Sequence, residues 1–339
     1  MADPSLWLLF FIIALAIGFG IVNGFNDAAN AIAASVGSRA LSPRKAVILA
    51  ALCNMAGAAT GTAVAMTIGK GILDPEAISY LTVISGLAAV IVWGTIATYW
   101  GLPVSITHSF ITGLAAAGVA LVGSEAIQWN VLQRVLSAVV TAPVLGFIGG
   151  FALMVILLWV FRQSAPTRMR VIFSRLQWLT TGFLAYSHGK NDGQMPIGVI
   201  TMALVIYSGD AGWWDRLSLW DPIGRYIIII SALAISSGTA IGGWRVIRTL
   251  GLRVTSLQPV HGFATQASAA TVIEVASNFG IPVSTTHCVS SSIMGVGATR
   301  RLSAVRWGVA GNIVTAWILT FPICGGLGYL FARLLGAIF

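Results

Sequence analysis

Leu6-Trp7-Leu8-Leu9-Phe10-Phe11-Ile12-Ile13-Ala14-Leu15-Ala16-Ile17-Gly18-Phe19-Gly20-Ile21-Val22 runs without a charge into Asn23-Gly24-Phe25-Asn26-Asp27, and apolar sequence resumes to about Val36. An uncharged run of about 20 residues is long enough to cross a hydrocarbon core of about 30 Å. The whole run is too long for one straight span, so the Asn-Asp pair reads as a break in a helix. Such a break survives in a membrane only where it lines protein or a water-filled cavity. The pattern returns in the second half. An apolar run from about Leu176 to Tyr207 is interrupted by Ser187-His188-Gly189-Lys190-Asn191-Asp192.

A proline turn follows each copy: Pro103-Val104-Ser105-Ile106-Thr107-His108, then Pro282-Val283-Ser284-Thr285-Thr286-His287. From His108 to Pro143 is 35 residues, and from His287 to Pro322 is again 35. The equal offset points to an internal duplication. The expected units are a first transmembrane repeat over 1–161, a basic cytoplasmic linker over 162–175 and a second repeat over 176–339.

Composition agrees. Of 339 residues, 57% are hydrophobic and 9% charged, against about 25% charged in soluble domains. The expected class is an all-α polytopic membrane protein, since a transmembrane barrel would show short alternating segments. The net charge of +9 sits in short loops between apolar runs, which is a topology signal, so no nucleic-acid partner is expected. Cys53, Cys288 and Cys324 lack metal-type spacing and form no disulfide framework. Met1-Ala2-Asp3-Pro4 has no basic n-region, so the first run reads as a retained helix. There is no Walker A pattern and no carboxylate–His zinc spacing, so no enzyme activity is expected.

Counting five crossings per half, with the N-terminus outside, puts the loops at 39–45, 162–175, 245–253 and 300–306 inside. They hold 13 of the 19 basic residues and none of the acidic ones. Lys70, Arg134, Arg216, Arg225 and Arg333 fall outside, with Asp3, Asp74, Glu76, Glu125, Asp210, Asp215 and Asp221. This fits the positive-inside rule. An odd number of crossings turns the second half over, giving inverted-topology repeats of the kind found in secondary transporters. A re-entrant hairpin would read the same way at this level.

Four charges remain in the membrane: Asp27, Lys190, Asp192 and Glu274. Each costs about 2.5–3.5 kcal/mol at the bilayer centre even on a lenient scale. The matched Asp27 and Asp192 are therefore read as functional. With Asn26 and Asn191 they suit a hard cation such as Na⁺, or they carry protons. Lys190 is either a counter-charge to Asp192 or faces the substrate. Ser105, Thr107, Ser284, Thr285 and Thr286 stand just after prolines that start helices, where hydroxyls, free N–H groups and the helix dipole favour an oxyanion. His108 and His287 either orient these turns by hydrogen bonding, the favoured reading, or take part in proton movement. His188 and His261 have no matched histidine and read as satisfied helix-end residues. A cation-only or proton-only channel or exchanger would leave the duplicated hydroxyls unexplained. A scaffold would leave the acidic pair unexplained.

Gly24-Phe25-Asn26-Asp27-Ala28-Ala29-Asn30-Ala31, Ser187-His188-Gly189-Lys190-Asn191-Asp192-Gly193-Gln194, both proline turns, Ser35–Ser42 and Gly242-Gly243-Trp244-Arg245 together resemble the PiT family of inorganic phosphate transporters. The likeness covers nearly the whole chain. It implies a symporter of inorganic phosphate driven by Na⁺ or H⁺, with no cofactor, in a prokaryotic plasma membrane and as a homodimer. It also implies two inverted repeats whose hairpins meet at a central site. The turn Ser/Thr residues and the Asn-Asp pairs would form that site, supported by His108, His287, Asn30, Lys190 and Gln194. Some relatives carry sulfate. The second motif departs from the bacterial pattern, with Met195 where a Lys is expected and Lys190 upstream.

Overall fold

The computed structural model describes residues 6–338. Residues 1–5 and 339 and the side chains of Ala28 and Glu76 lie outside the described residues. The first half comprises α1 (Leu6–Gly37), α2 (Pro43–Ala58), α3 (Ala63–Lys70), α4 (Tyr80–Trp100), α5 (Ile106–Leu121) and α6 (Trp129–Val160). The second comprises α7 (Pro166–Asp192), α8 (Gln194–Ser208), α9 (Gly224–Ile241), α10 (Trp244–Arg248), α11 (Pro259–Asn278), α12 (Thr285–Ala298) and α13 (Trp307–Ile338). No strand forms among the described residues, which bear out the all-helical class.

Local signals set several boundaries. Ser79 accepts from the Thr82 N–H at 3.2 Å and Thr82 returns a bond at 2.8 Å, which closes a capping box at the start of α4. Gly101, at φ 72°, ends it in the left-handed region. Ser105 and Ser284 cap α5 and α12 by accepting the His108 and His287 N–H groups, each at 3.1 Å.

Two expectations change. α1 runs unbroken through Asn23–Asp27 over 32 residues, about 48 Å of helix. In the second half the interruption falls one residue after Asp192, at Gly193 between α7 and α8. The motif glycines serve packing instead. A Cβ on Gly24 would stand 2.1 Å from the Ile235 carbonyl of α9, and one on Gly189 would stand 2.1 Å from the Asn54 carbonyl of α2. Small residues at such crossings let two backbones touch inside a bilayer. Asn26 and Asp27 then need no break, because they lie on one face of a continuous helix. Likewise, most of the expected linker is helix. Pro166 starts α7, so Arg168, Arg170 and Arg175 lie in its first turns.

The halves interlock. α1 packs on α9 and α7 on α2, while α5 packs on α13 and α12 on α6. Each proline-turn helix thus rests on the last helix of the other half. Among the described residues, five helices are long and apolar enough to cross a membrane: α1, α4, α6, α9 and α13. The pair α2 and α3, bent by 68°, makes a sixth if counted as one span. α5 and α12, of 16 and 14 residues, reach only about 24 and 21 Å, short of a hydrocarbon core. Their tips therefore end inside the protein, and the site forms there.

Candidate functional site

Asp27 on α1 and Asp192 at the end of α7 meet the starts of α5 and α12. The pairing is crossed. Thr286 of the second half donates to Asp27 Oδ1 at 2.8 Å. Thr107 of the first half lies 3.5 Å from Asp192 Oδ1. Thr285 adds a contact to Asp192 Oδ2 at 3.3 Å. Thr286 also lies 2.9 Å from the Val104 carbonyl, which ties the two proline turns together.

The amides take different parts. Asn30 Nδ2 donates to Asp27 at 2.9 Å and to Thr286 at 2.8 Å. Asn191 Nδ2 donates to Asp192 at 2.5 Å and to the Val283 carbonyl at 2.8 Å. Asn26 Nδ2 reaches Thr98 at 2.5 Å. The side-chain oxygens of Asn26 and Asn30 have no partner among the described residues. Two carboxylates with unpaired amide oxygens beside them form an oxygen-rich set of the type a hard cation takes. Two buried like charges are costly unless a cation or proton offsets them.

His188 completes the cluster. Its Nε2 lies 3.2 Å from Asp192 and 4.0 Å from Asp27. Its Nδ1 lies 2.8 Å from Asn54, whose amide donates to Thr239 at 2.7 Å. Ligand atoms of Asp27, His188 and Asp192 all fall within 4.8 Å of one another. The side chains of Asn26, Asp27, Asn30, Thr107, His188, Asn191, Asp192, Thr285 and Thr286 are each 2% exposed or less.

The sequence matches the Phosphate transporter family over residues 23–328. The chain belongs to that family. It is 38% identical to a probable low-affinity inorganic phosphate transporter of Bacillus subtilis (strain 168), over 99% of this chain and 100% of that one. Another protein of the same description, from Rhizobium meliloti (strain 1021), is 39% identical over 93% of this chain and 92% of its own. The fold matches the solved structure of a sodium-dependent phosphate transporter, with a TM-score of 0.85, 26% identity and coverage of 98% and 100%. The family is one of transporters, not enzymes.

Of the residues singled out from sequence, Asn26, Asp27, Asn30, Thr107, Asn191, Asp192, Thr285 and Thr286 converge in the core of this phosphate transporter family member. Ser105 and Ser284 stand beside them as helix caps. Lys190 does not face Asp192. It reaches Glu274 at 2.5 Å and Asn278 at 2.7 Å on α11, which is the partner its side of α7 offers. Gln194 also lies apart, accepting from the Val64 and Ala65 N–H groups at 2.9 and 3.2 Å and so capping α3.

His108 and His287 depart from their expected role. Their rings meet at 5.2 Å, and His287 packs on Trp317 at 4.0 Å. Their ring nitrogens make no hydrogen bond among the described residues. The turns are held through the histidine backbone N–H groups instead. Met195 is fully buried in the apolar core.

His188 and Asn54 join the site although the sequence did not single them out for it. The spacing of His188 carries a signal, because four residues before Asp192 on a helix is the same face. It also has a positional match: Asn26 and Asn191 are 165 apart, as are Asn23 and His188.

Proposed function

We propose that this chain is a secondary symporter that imports inorganic phosphate together with Na⁺ or H⁺ by alternating access. The observation that carries the reading is the crossed pairing, Thr286 with Asp27 and Thr107 with Asp192. It sets the anion donors of each proline turn against the cation acceptors of the opposite half. Entering phosphate takes the hydroxyls and the free N–H groups at the starts of α5 and α12. Asp27 and Asp192 then lose those donors, and their buried charge needs a cation. Each ion thereby favours the other, which is coupling in the thermodynamic sense.

Na⁺ is the favoured coupling ion. The unpaired oxygens of Asn26 and Asn30 beside Asp27 support it, as does the sodium dependence of the relative of solved structure. A core this buried needs a rearrangement to load and unload, which supports alternating access.

The test is uptake of radiolabelled phosphate into proteoliposomes under an imposed Na⁺ gradient, a pH gradient or neither, with arsenate and sulfate as competitors. Uptake that follows Na⁺ and is blocked by arsenate but not sulfate is expected. Uptake that follows only the pH gradient replaces Na⁺ with H⁺. Uptake indifferent to both gradients overturns coupling, and stronger competition by sulfate than by arsenate overturns the substrate.

A further inference from the structure

The charge count places only five basic residues on the side of the acidic loops. Three of them do not line this side's basic cavity. Arg216 lies 3.9 Å from Asp210, Arg225 lies over Tyr226 at 5.6 Å, and Arg333 reaches the Ala120 carbonyl at 3.5 Å. The other two, Lys70 at the end of α3 and Arg134 in the second turn of α6, line one cavity of about 320 Å³. Among the described residues, no acidic one lines it. Among the described residues, no carboxylate oxygen lies within 4.0 Å of either cation. The Lys70 ammonium sits 5.4 Å from the Trp214 ring centroid, a contact that leaves its charge in place. Met66, Val131 and Val135 supply apolar walls.

The floor of this cavity is Phe279-Gly280-Ile281-Pro282, the tip of the α11–α12 hairpin. Thr67, one turn before Lys70, donates to the Gly280 carbonyl at 2.7 Å and ties the basic wall to that tip. The next residue, Val283, already belongs to the site through its carbonyl bond from Asn191. Thr285, two residues further on, touches Asp192. The cavity thus leads from the acidic-loop side to within one residue of the buried core. A cleft of one charge sign with low-dielectric walls concentrates ions of the opposite sign. The positive-inside rule depletes bases on this side, so two of them converging here are not a by-product of topology.

We propose that Lys70 and Arg134 form an entry vestibule that captures inorganic phosphate on the acidic-loop side and delivers it to the α11–α12 tip. This rests on the phosphate-import reading above.

The test compares initial phosphate uptake in intact cells lacking other phosphate carriers. The variants are Lys70→Gln with Arg134→Gln, Arg134→Gln alone, and the charge-conserving Lys70→Arg with Arg134→Lys. The double neutral variant should raise KM about five- to tenfold with maximal rate within about twofold, the single variant less. The gap should shrink at about 0.3 M salt, where screening shortens to a few ångströms. The charge-conserving pair should restore the wild-type KM. Wild-type KM should itself rise with ionic strength, a readout that needs no variant. An unchanged KM in the neutral variants, or a fall in maximal rate alone, overturns the vestibule and leaves the import reading standing. Wild-type cells that take up no phosphate overturn both.

Discussion

Asp27 and Asp192 hold matched positions, yet their surroundings differ. Asp27 lies midway along an unbroken helix whose one face also carries Asn23, Asn26 and Asn30. Several oxygens on that face have no partner among the described residues. Asp192 is the last residue of α7, and His188, Asn191, Thr107 and Thr285 all crowd it. At the position matching Asn30 the second half has Met195, which is buried in apolar packing. The two halves share the carboxylates and differ in what those carboxylates face. On the symport proposed above, the first half-site, with spare amide oxygens beside Asp27, offers a cation more acceptors than the second, whose carboxylate is already met by several donors.

The largest expected effects disrupt that division. Asp27→Asn and Asp192→Asn should each cut coupled uptake by about 100-fold or more, because each removes a buried charge that its partners are arranged around. They should differ in a second readout. Na⁺ should raise the thermal unfolding temperature of the detergent-solubilised wild type and of Asp192→Asn, but not of Asp27→Asn. Equal loss of Na⁺ stabilisation in both variants would erase the division of labour.

Exchanging the diverged pair probes it more finely. His188→Asn places the first half's Asn23 chemistry beside Asp192. That amide can still meet Asn54, so uptake should fall about tenfold, whereas His188→Ala should lose several times more, because Asn54 Oδ1 loses its contact and Asp192 loses one of its own. Equal losses in the two variants would remove His188 from the site and leave it a packing residue.

The threonines should follow their geometry. Thr286 donates at 2.8 Å and also takes a bond from Asn30, while Thr107 stands at 3.5 Å from Asp192. Thr286→Ala should therefore reduce uptake about tenfold and Thr107→Ala about threefold, each at the scale of one or less than one charge-assisted hydrogen bond. The reverse order, measured as initial rates at saturating Na⁺, would mean that the resting contacts do not persist when the ions bind.

Much of this is legible in the amino-acid sequence. Tyr80–Trp100 reads as one helix because its run is apolar and its ends carry Ser79 and Gly101, a cap and a left-handed stop. The two proline turns are legible because proline and serine act locally. The stretch Asn23–Asp27 misleads because a polar face on a continuous helix and a true break give the same residues. Only the partner, α9 closing on Gly24, distinguishes them. His188 is hidden for a related reason. Matching by residue type finds no second histidine, although matching by position leads straight to Asn23. Lys190 cannot be assigned a partner from sequence, because Glu274 lies 84 residues away on another helix.

The Lys190–Glu274 contact is a further asymmetry between the halves, and it carries the smallest expected effect. Among the described residues, the first half has nothing like it. By the same offsets the matched positions hold Phe25 and Thr95. The pair is only 15% and 20% exposed and is joined by Asn278 and Ser187, so neither charge can be left alone cheaply. Removing one partner of such a pair costs about 3–5 kcal/mol, while replacing both with packed neutral residues is close to neutral. Lys190→Phe or Glu274→Thr alone should therefore lower the unfolding temperature in detergent by several degrees and reduce membrane yield. The double variant, which rebuilds the first-half residues, should recover most of the stability and transport within about twofold of wild type. If the double variant unfolds as easily as the singles, the contact matters for more than its own neutralisation, and the second half-site includes α11. If it recovers fully, the charge pair is a local feature of one repeat that the transport site does not use.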